Sequence, residues 1–307
     1  MFPELSMSLI AIFMVWLTGA LTLFLIFQKE LSLLEITGYS YLLGSGIVAV
    51  FLCLSSIIGG KLSLVSVFVF MTSEAGISAA LWFKNRRTQL KKSRFTHQPF
   101  RYYEYLLILL ILFITTAVIA EGISGEPGWD AIFTYGFVAK TFFLSNRIDM
   151  GFFTDAARYG FVHLDYPLLF PLLITWCYKF LGTADPQIIQ LITIGFYLAI
   201  IGIYSGSLRD SVSRPFMLLS LALVLYNPLI LYDTLRGEAD IIVAVYFMGI
   251  LALYLKFKQS PSAKMAALLG ILIGFVANTK NEGFVFLALL QSEWVKKASC
   301  IEVTRCN

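Results

Sequence analysis

Charged side chains are scarce in this sequence of 307 residues. They make up 14% of it, against about 25% in a typical soluble domain, while 58% of the residues are apolar and the mean hydropathy is +0.80. This scarcity excludes a water-soluble globular protein. Intrinsic disorder is excluded as well, because it needs low hydrophobicity and high net charge, and the formal net charge is only +4. Soft metal ligands are few: two histidines and four cysteines. Cys53 and Cys177 lie inside apolar runs, where a thiol packs as a small hydrophobe. Cys300 and Cys306 fall in a polar tail without a second pair, so neither a disulfide framework nor a zinc site follows. Walker A, G-x-G-x-x-G, H-E-x-x-H and G-x-S-x-G strings are missing. ATP-driven transport, dinucleotide redox chemistry, zincin proteolysis and lipase chemistry therefore lack support. So is an internal repeat of the kind that builds many secondary transporters. The N-terminus has no basic n-region and no small-residue cleavage site, so its first apolar run reads as a retained helix.

What the sequence has in abundance is long apolar runs. Spanning a bilayer takes about 20 predominantly apolar residues per helix. Candidate runs cover 7–27, 39–58, 62–83, 102–120, 166–183, 187–208, 215–232, 241–257 and 265–294, the last interrupted at Asn278 to Glu282. The expected fold is all-α: a polytopic membrane protein with about nine or ten hydrophobic helices and one long extracytoplasmic loop carrying interfacial helices. Four parts are expected. Residues 1–83 hold three transmembrane helices, 84–101 a basic cytoplasmic loop, 102–294 the core including the loop 121–165, and 295–307 a polar tail.

Orientation rests on the basic loop. Lys84, Arg86, Arg87, Lys91, Lys92, Arg94 and Arg101 crowd into it without an acid, which fixes it in the cytoplasm. Nucleic acid is not the expected partner of this run, which sits between apolar segments with few interleaved aromatics. Residues 121–165 then fall outside, with Glu121, Glu126, Asp130, Asp149, Asp155 and Asp165 against Lys140, Arg147 and Arg158. This is the longest stretch expected to lack membrane helices, and such a stretch is where a membrane enzyme places its chemistry. The short basic loops at Arg209 to Arg214 and Lys256 to Lys264 should be cytoplasmic, yet both land outside if every run crosses. The conflict disappears if 166–183, with Pro167 and Pro171 in its first turns, dips without crossing. Asp233 to Asp240 and the Asn278 to Glu282 break then face outward too.

Ionisable groups at membrane depth cost roughly 2.5–3.5 kcal/mol each on insertion scales, so each is a candidate for function. Asp130, after Gly128-Trp129, opens a stretch with an apolar stripe at helical spacing. There it is either a catalytic carboxylate or an N-terminal stabiliser. His163, Asp165 and Tyr166 in VHLDYPLLFP could position a hydroxyl or a divalent metal, or form a solvated loop. In DTLRGEAD, Arg236 stands among Asp233, Glu238 and Asp240, ready for a phosphate or merely neutralised by these neighbours. Lys280 and Glu282 in NTKNEG pair with each other or hold a lipid phosphate. Glu74, beside small residues, reads as a buried carboxyl satisfied by a neighbouring helix, and Gly270 with Gly274 as a small-xxx-small contact.

Taken together, GWDAIFTYGFVAK, VHLDYPLLFPLLITW and TKNEGFVF, in that order and with a long outer stretch between the first two, resemble the GT-C class of integral-membrane glycosyltransferases. The likeness is to bacterial members related to protein mannosyltransferases, and it covers roughly residues 102–290. An acidic residue early in the first large extracytoplasmic loop is the catalytic base there, which matches Asp130. The family's D-Y-P-L-L segment matches Asp165 to Leu169, and its K-N-E-G string matches Lys280 to Gly283. The resemblance implies a multi-pass enzyme of the cell (inner) membrane with its active site outside. It would move a sugar from a polyprenyl-phosphate donor to a glycan, lipid or protein acceptor. Lys140, Arg236 and Lys280 would then meet the donor phosphate, while His163, Asp165, Tyr166, Asp240 and Glu282 would position the acceptor or a metal. A divalent ion is left open. Two departures stand out: three helices precede the matching region, and the ending SEWVKKASCIEVTRCN turns polar soon after K-N-E-G, as a truncated or frame-shifted product would. The competing expectations are a carrier or flippase for a lipid-linked precursor and a non-catalytic assembly subunit.

Overall fold

The computed structural model describes residues 2–27, 30–84, 99–160, 162–285 and 288. The expected basic loop lies for the most part outside the described residues, as do the polar tail and the end of the run 265–294. Every element among the described residues is helical. In chain order they are α1 (Phe2–Ile26), α2 (Leu33–Ile57), α3 (Leu64–Lys84), α4 (Tyr102–Ser124), a π-helical turn (Ala131–Gly136) leading into α5 (Phe137–Ser145), α6 (Met150–Thr154), α7 (Ala156–Tyr159), α8 (Leu169–Leu181), α9 (Ile188–Leu208), α10 (Arg214–Leu225), α11 (Pro228–Arg236), α12 (Ala239–Gln259) and α13 (Ala263–Ala277).

Where nine or ten spans were expected, five described helices are long and apolar enough to cross a membrane: α1, α2, α4, α9 and α12. A sixth is reached if α10 and α11, bent by 52° at their junction, count as one span. The bend follows from Asn227-Pro228. Proline has no N–H to continue α10 but suits the first turn of a new helix, and the Asn227 side chain accepts from the Leu229 N–H at 2.9 Å. The stretch 121–165 is not an open loop, since α5, α6 and α7 and the π-helical turn lie within it.

Ion pairs collect the helix termini at one end of the bundle. Lys256 near the end of α12 reaches both oxygens of Glu35 in the first turn of α2 at 2.6 Å, and Arg214 at the start of α10 holds Glu104 at the start of α4 at 2.8 Å. Lys264 donates to the Ile26 carbonyl that ends α1. The basic segments 209–214 and 256–264 therefore share an end. At the opposite end Leu169, opening α8, donates to the Asn278 carbonyl after α13, and Gln190, opening α9, donates to the Leu235 carbonyl. Helix α8 begins and finishes at this second end. Its 13 residues reach only about 20 Å, short of the roughly 30 Å hydrocarbon core, and six residues later α9 starts its crossing.

Within a bilayer the hydrophobic effect does not hold helices together, so packing and interhelical hydrogen bonds must. Helices α1 and α2 approach at Gly19 and Gly44, where an added Cβ would run into the backbone of the facing helix. Buried tyrosines tie the rest: Tyr39 to the Gly249 carbonyl at 2.7 Å, Tyr246 to that of Leu42 at 2.7 Å and Tyr197 to that of Leu225 at 3.2 Å. Trp176 of α8 is fully buried and donates to the Ala11 carbonyl. The small-xxx-small expectation is corrected as far as the described residues go, because none of them lies within 4 Å of a Cβ at Gly270 or Gly274. Helix α13 packs instead through Leu268, Leu272 and Val276, on its other face. Glu74 meets its expected neighbour on one side only: the Thr22 hydroxyl of α1 donates to Oε1 at 3.0 Å, and Oε2 has no partner among the described residues.

Candidate functional site

Four distant segments meet at the end of the bundle opposite Glu35, and each is held by backbone bonds. Residues after α4 are fastened to the α11–α12 turn. The Gly128 N–H donates to the Arg236 carbonyl at 2.6 Å, and the Arg236 guanidinium reaches the Glu126 carbonyl at 3.4 Å. A Cβ at Gly128 would displace the Glu238 carboxyl and press on the Arg236 carbonyl at 3.0 Å, so glycine lets the two segments approach here. The turn itself is closed by Gly237 in the left-handed conformation, with the Glu238 N–H bonded to the Asp233 carbonyl. The break after α13 holds the segment before α8. Beyond the Leu169 bond, Asn278 Oδ1 accepts from the Leu168 N–H at 3.4 Å, and Asn281 Nδ2 donates to Asp165 at 2.8 Å.

The fold sets charge around this junction. Trp129 and Asp130 form the first helical turn leading into the π-helical segment, and both are exposed. The Asp130 side chain makes no capping hydrogen bond, so it is not spent as a cap and only the helix dipole favours it there. A π-helical turn interrupts regular helix directly after it, a feature that recurs at functional sites. Lys280 is mostly buried and pairs with Asp240 at 2.9 Å and Glu282 at 3.5 Å, while those two carboxylates are more than half exposed. Burial works against the Lys280 charge, but the hydrogen bond to Asp240 and the charges of Asp240 and Glu282 outweigh it and hold its pKa above the usual lysine value. Glu238 is shifted most informatively. Burial, joined by repulsion from Asp130, Asp240 and Asp233, pushes its carboxyl up to about 7.

Aromatic rings floor the cluster. Tyr166 stacks on His163 at 4.5 Å and on Tyr135 at 5.9 Å. Burial raises the Tyr166 phenol, with Lys280 opposing and Glu282, Asp165 and Asp130 reinforcing, and Tyr135 is raised further by burial, Tyr166, Asp240, Glu282 and Asp130. Both phenols stay neutral, and two acids from different segments, Glu282 and Asp130, act on both rings.

Of the residues singled out from the sequence, Asp130, Asp165, Tyr166, Arg236, Asp240, Lys280 and Glu282 belong to this junction, and His163 borders it through Tyr166. Lys140 does not join. It is exposed on α5, ten residues and roughly 15 Å of helix beyond Asp130. A divalent ion does not fit either: among the described residues no three His, Cys, Asp or Glu side chains are placed to hold one, and Asp165 is engaged by Asn281. Residues not singled out before contribute as much as those that were. Glu238 and the two asparagines Asn278 and Asn281 do so, but only their presence in the strings DTLRGEAD and NTKNEG hinted at it. No protein-family model, curated protein or solved structure matches this chain.

Proposed function

We propose that this protein is a membrane glycosyltransferase that moves a sugar from a polyprenyl-phosphate donor to an acceptor hydroxyl on the extracytoplasmic face. The observation that carries the reading is the junction itself. An exposed carboxylate without a capping bond, Asp130, shares one end of the bundle with Arg236 and a mostly buried cation, Lys280, beside helices long and apolar enough to cross a membrane.

In this reading the lipid donor approaches sideways from the bilayer, and Asp130 takes the proton of the acceptor hydroxyl as the oxygen attacks the anomeric carbon. The bond from that carbon to the phosphate oxygen breaks, and its electron pair leaves with the polyprenyl phosphate, with inversion at carbon. A placed general base contributes roughly a hundred- to ten-thousand-fold. The charge that grows on the leaving phosphate is met by Lys280 and Arg236, already fixed by their neighbours, so little reorganisation is needed. Asp165, Tyr166, His163, Asp240 and Glu282 line the approach of the acceptor. Trp129 and Phe133, exposed and 4.8 Å apart, provide an aromatic edge of the kind that sits at the level of lipid head groups.

The test is incubation of the purified full chain with labelled polyprenyl-phosphate sugars and candidate acceptors. Donor consumption and a sugar-bearing product are expected, both lost in Asp130→Asn while membrane insertion is kept. Donor that binds and is never consumed would make the protein a carrier, a flippase or an assembly subunit. Normal turnover in Asp130→Asn would remove Asp130 as the base.

A further inference from the structure

We infer that a second, separate site takes a phosphate group, presented by the head of an anionic membrane lipid. It is the crevice of about 700 Å³ between the α2–α3 turn and the α5–α6 turn, whose lining includes Ser56, Lys61, Asn146, Arg147 and Asp149. Its distance from the junction is set by α5, whose last residue, Ser145, lies roughly 20 Å of helix past Asp130. The inference does not rest on the glycosyltransferase reading.

The two walls are locked to each other. Leu62 donates its N–H to the Asn146 carbonyl at 2.7 Å and Ile148 donates to the Ser56 hydroxyl oxygen at 2.8 Å, while the Ser145 hydroxyl braces its own wall by donating to the Arg147 carbonyl at 2.7 Å. Such a crevice keeps its shape without a ligand. Donors predominate in it. Lys61 and Arg147 are exposed, and among the described residues no carboxylate pairs with either. The one acid, Asp149, is turned to the Gly151 N–H as the cap of α6. Behind the wall, mostly buried Lys179 donates to Asn146 Oδ1 at 2.6 Å and to the Phe143 carbonyl at 2.9 Å. This bond adds a third positive charge and leaves the Nδ2 donor as the unengaged end of Asn146. The Ser56 hydroxyl, having accepted from Ile148, keeps its own proton to give. An ammonium, a guanidinium, an amide and a hydroxyl converging on one space suit the oxygens of a phosphate.

The rim points to a lipid as the source of that phosphate. Ile57, Ile58 and Leu144, which adjoin the lining residues, are 74%, 83% and 66% exposed. An acyl chain would cover them, and basic pockets beside membrane helices hold anionic lipid heads in this way.

The experiment uses the purified full chain in detergent with head-group-labelled phosphatidylglycerol, phosphatidylcholine as the uncharged comparison, and inorganic phosphate as competitor. Phosphatidylglycerol should bind at least tenfold more tightly than phosphatidylcholine. The double substitution Lys61→Gln/Arg147→Gln, at two exposed positions, should remove that preference, while Lys140→Gln, an exposed cation outside the crevice, should keep it. Equal binding of the two lipids, or an unchanged preference in the double variant, would overturn the inference. Complete displacement of the lipid by millimolar inorganic phosphate would overturn its lipid part and assign the crevice to a soluble anion. None of these readouts depends on sugar transfer, so this result and that of the transfer assay stand or fall separately.

Discussion

The two ends of the helix bundle carry charge in opposite ways. At the end near Glu35 each named acid has a dedicated cation: Glu35 with Lys256, Glu104 with Arg214, and Glu30 with Lys264. Glu35 and Glu104 also reach back to the backbone N–H groups of Ser32 and Arg101, so these carboxylates start their helices. At the end near Asp130 the acids outnumber the cations: Asp130, Asp165, Asp233, Glu238, Asp240 and Glu282 share Arg236 and Lys280. The first arrangement settles charge into structure. The second leaves charge unsettled, which raises the proton affinity of Glu238 and keeps Asp130 available.

Substitutions can break this contrast. The largest effect is expected for Asp130→Asn, a hundred- to ten-thousand-fold loss of sugar transfer in the labelled-donor assay, with thermal unfolding in detergent unchanged. Lys256→Met should do the reverse. It strands a buried Glu35 carboxylate and costs about 3 kcal/mol, seen as a lower unfolding temperature, while any transfer activity of the surviving folded protein stays near normal. Equal loss of activity and stability in both variants would erase the distinction between the ends.

Glu238→Gln sharpens the contrast through pH. The folded protein keeps the Glu238 proton up to about pH 7, whereas the unfolded chain releases it near the ordinary glutamate value of about 4.3. Stability conferred by the protonated form is therefore lost as pH rises through that window, and the charged form is penalised above it. The substitution should raise the unfolding temperature relative to the parent at pH 7.5 and change it little at pH 4. A parallel offset at both values would mean that the carboxyl is not shielded by its acidic neighbours. The smallest effect is expected for Lys140→Gln, less than a twofold change in transfer rate, because no contact joins Lys140 to the junction.

Much of this contrast can be read from the amino acids alone, and the unreadable part has physical causes. The runs at 7–27, 39–58, 102–120, 187–208 and 241–257 each correspond to a helix long and apolar enough to cross a membrane. Hydropathy reports which residues tolerate lipid or a protein interior. It does not say which of the two surrounds them, so hydropathy alone did not set α8, almost wholly buried in protein, apart from its neighbours; its two prolines and the placement of the basic loops did. The strings around Asp130, Asp165 and Lys280 were recognisable because polar groups in apolar surroundings stand out. The shift at Glu238 was not, since it comes from burial joined by repulsion from Asp130, Asp240 and Asp233, and sequence spacing reports neither burial nor distances across a fold. Gly270 and Gly274 misled for a related reason: spacing identifies a smooth helix face, and only packing decides whether another helix uses it.

The π-helical turn at Ala131–Gly136 has a consequence for how this chain tolerates change in length. Such a turn accommodates a residue more than an α-turn does, so excising one residue there would let the segment relax into continuous α-helix. The flanking residues would keep their faces, because the turn takes up its extra residue locally; the same excision within regular helix would turn one flank by about 100° against the other. Trp129 and Asp130 would then stay beside the Arg236–Asp240 turn, whereas the loss of one amino acid inside α5 would set them and the α5–α6 turn against each other.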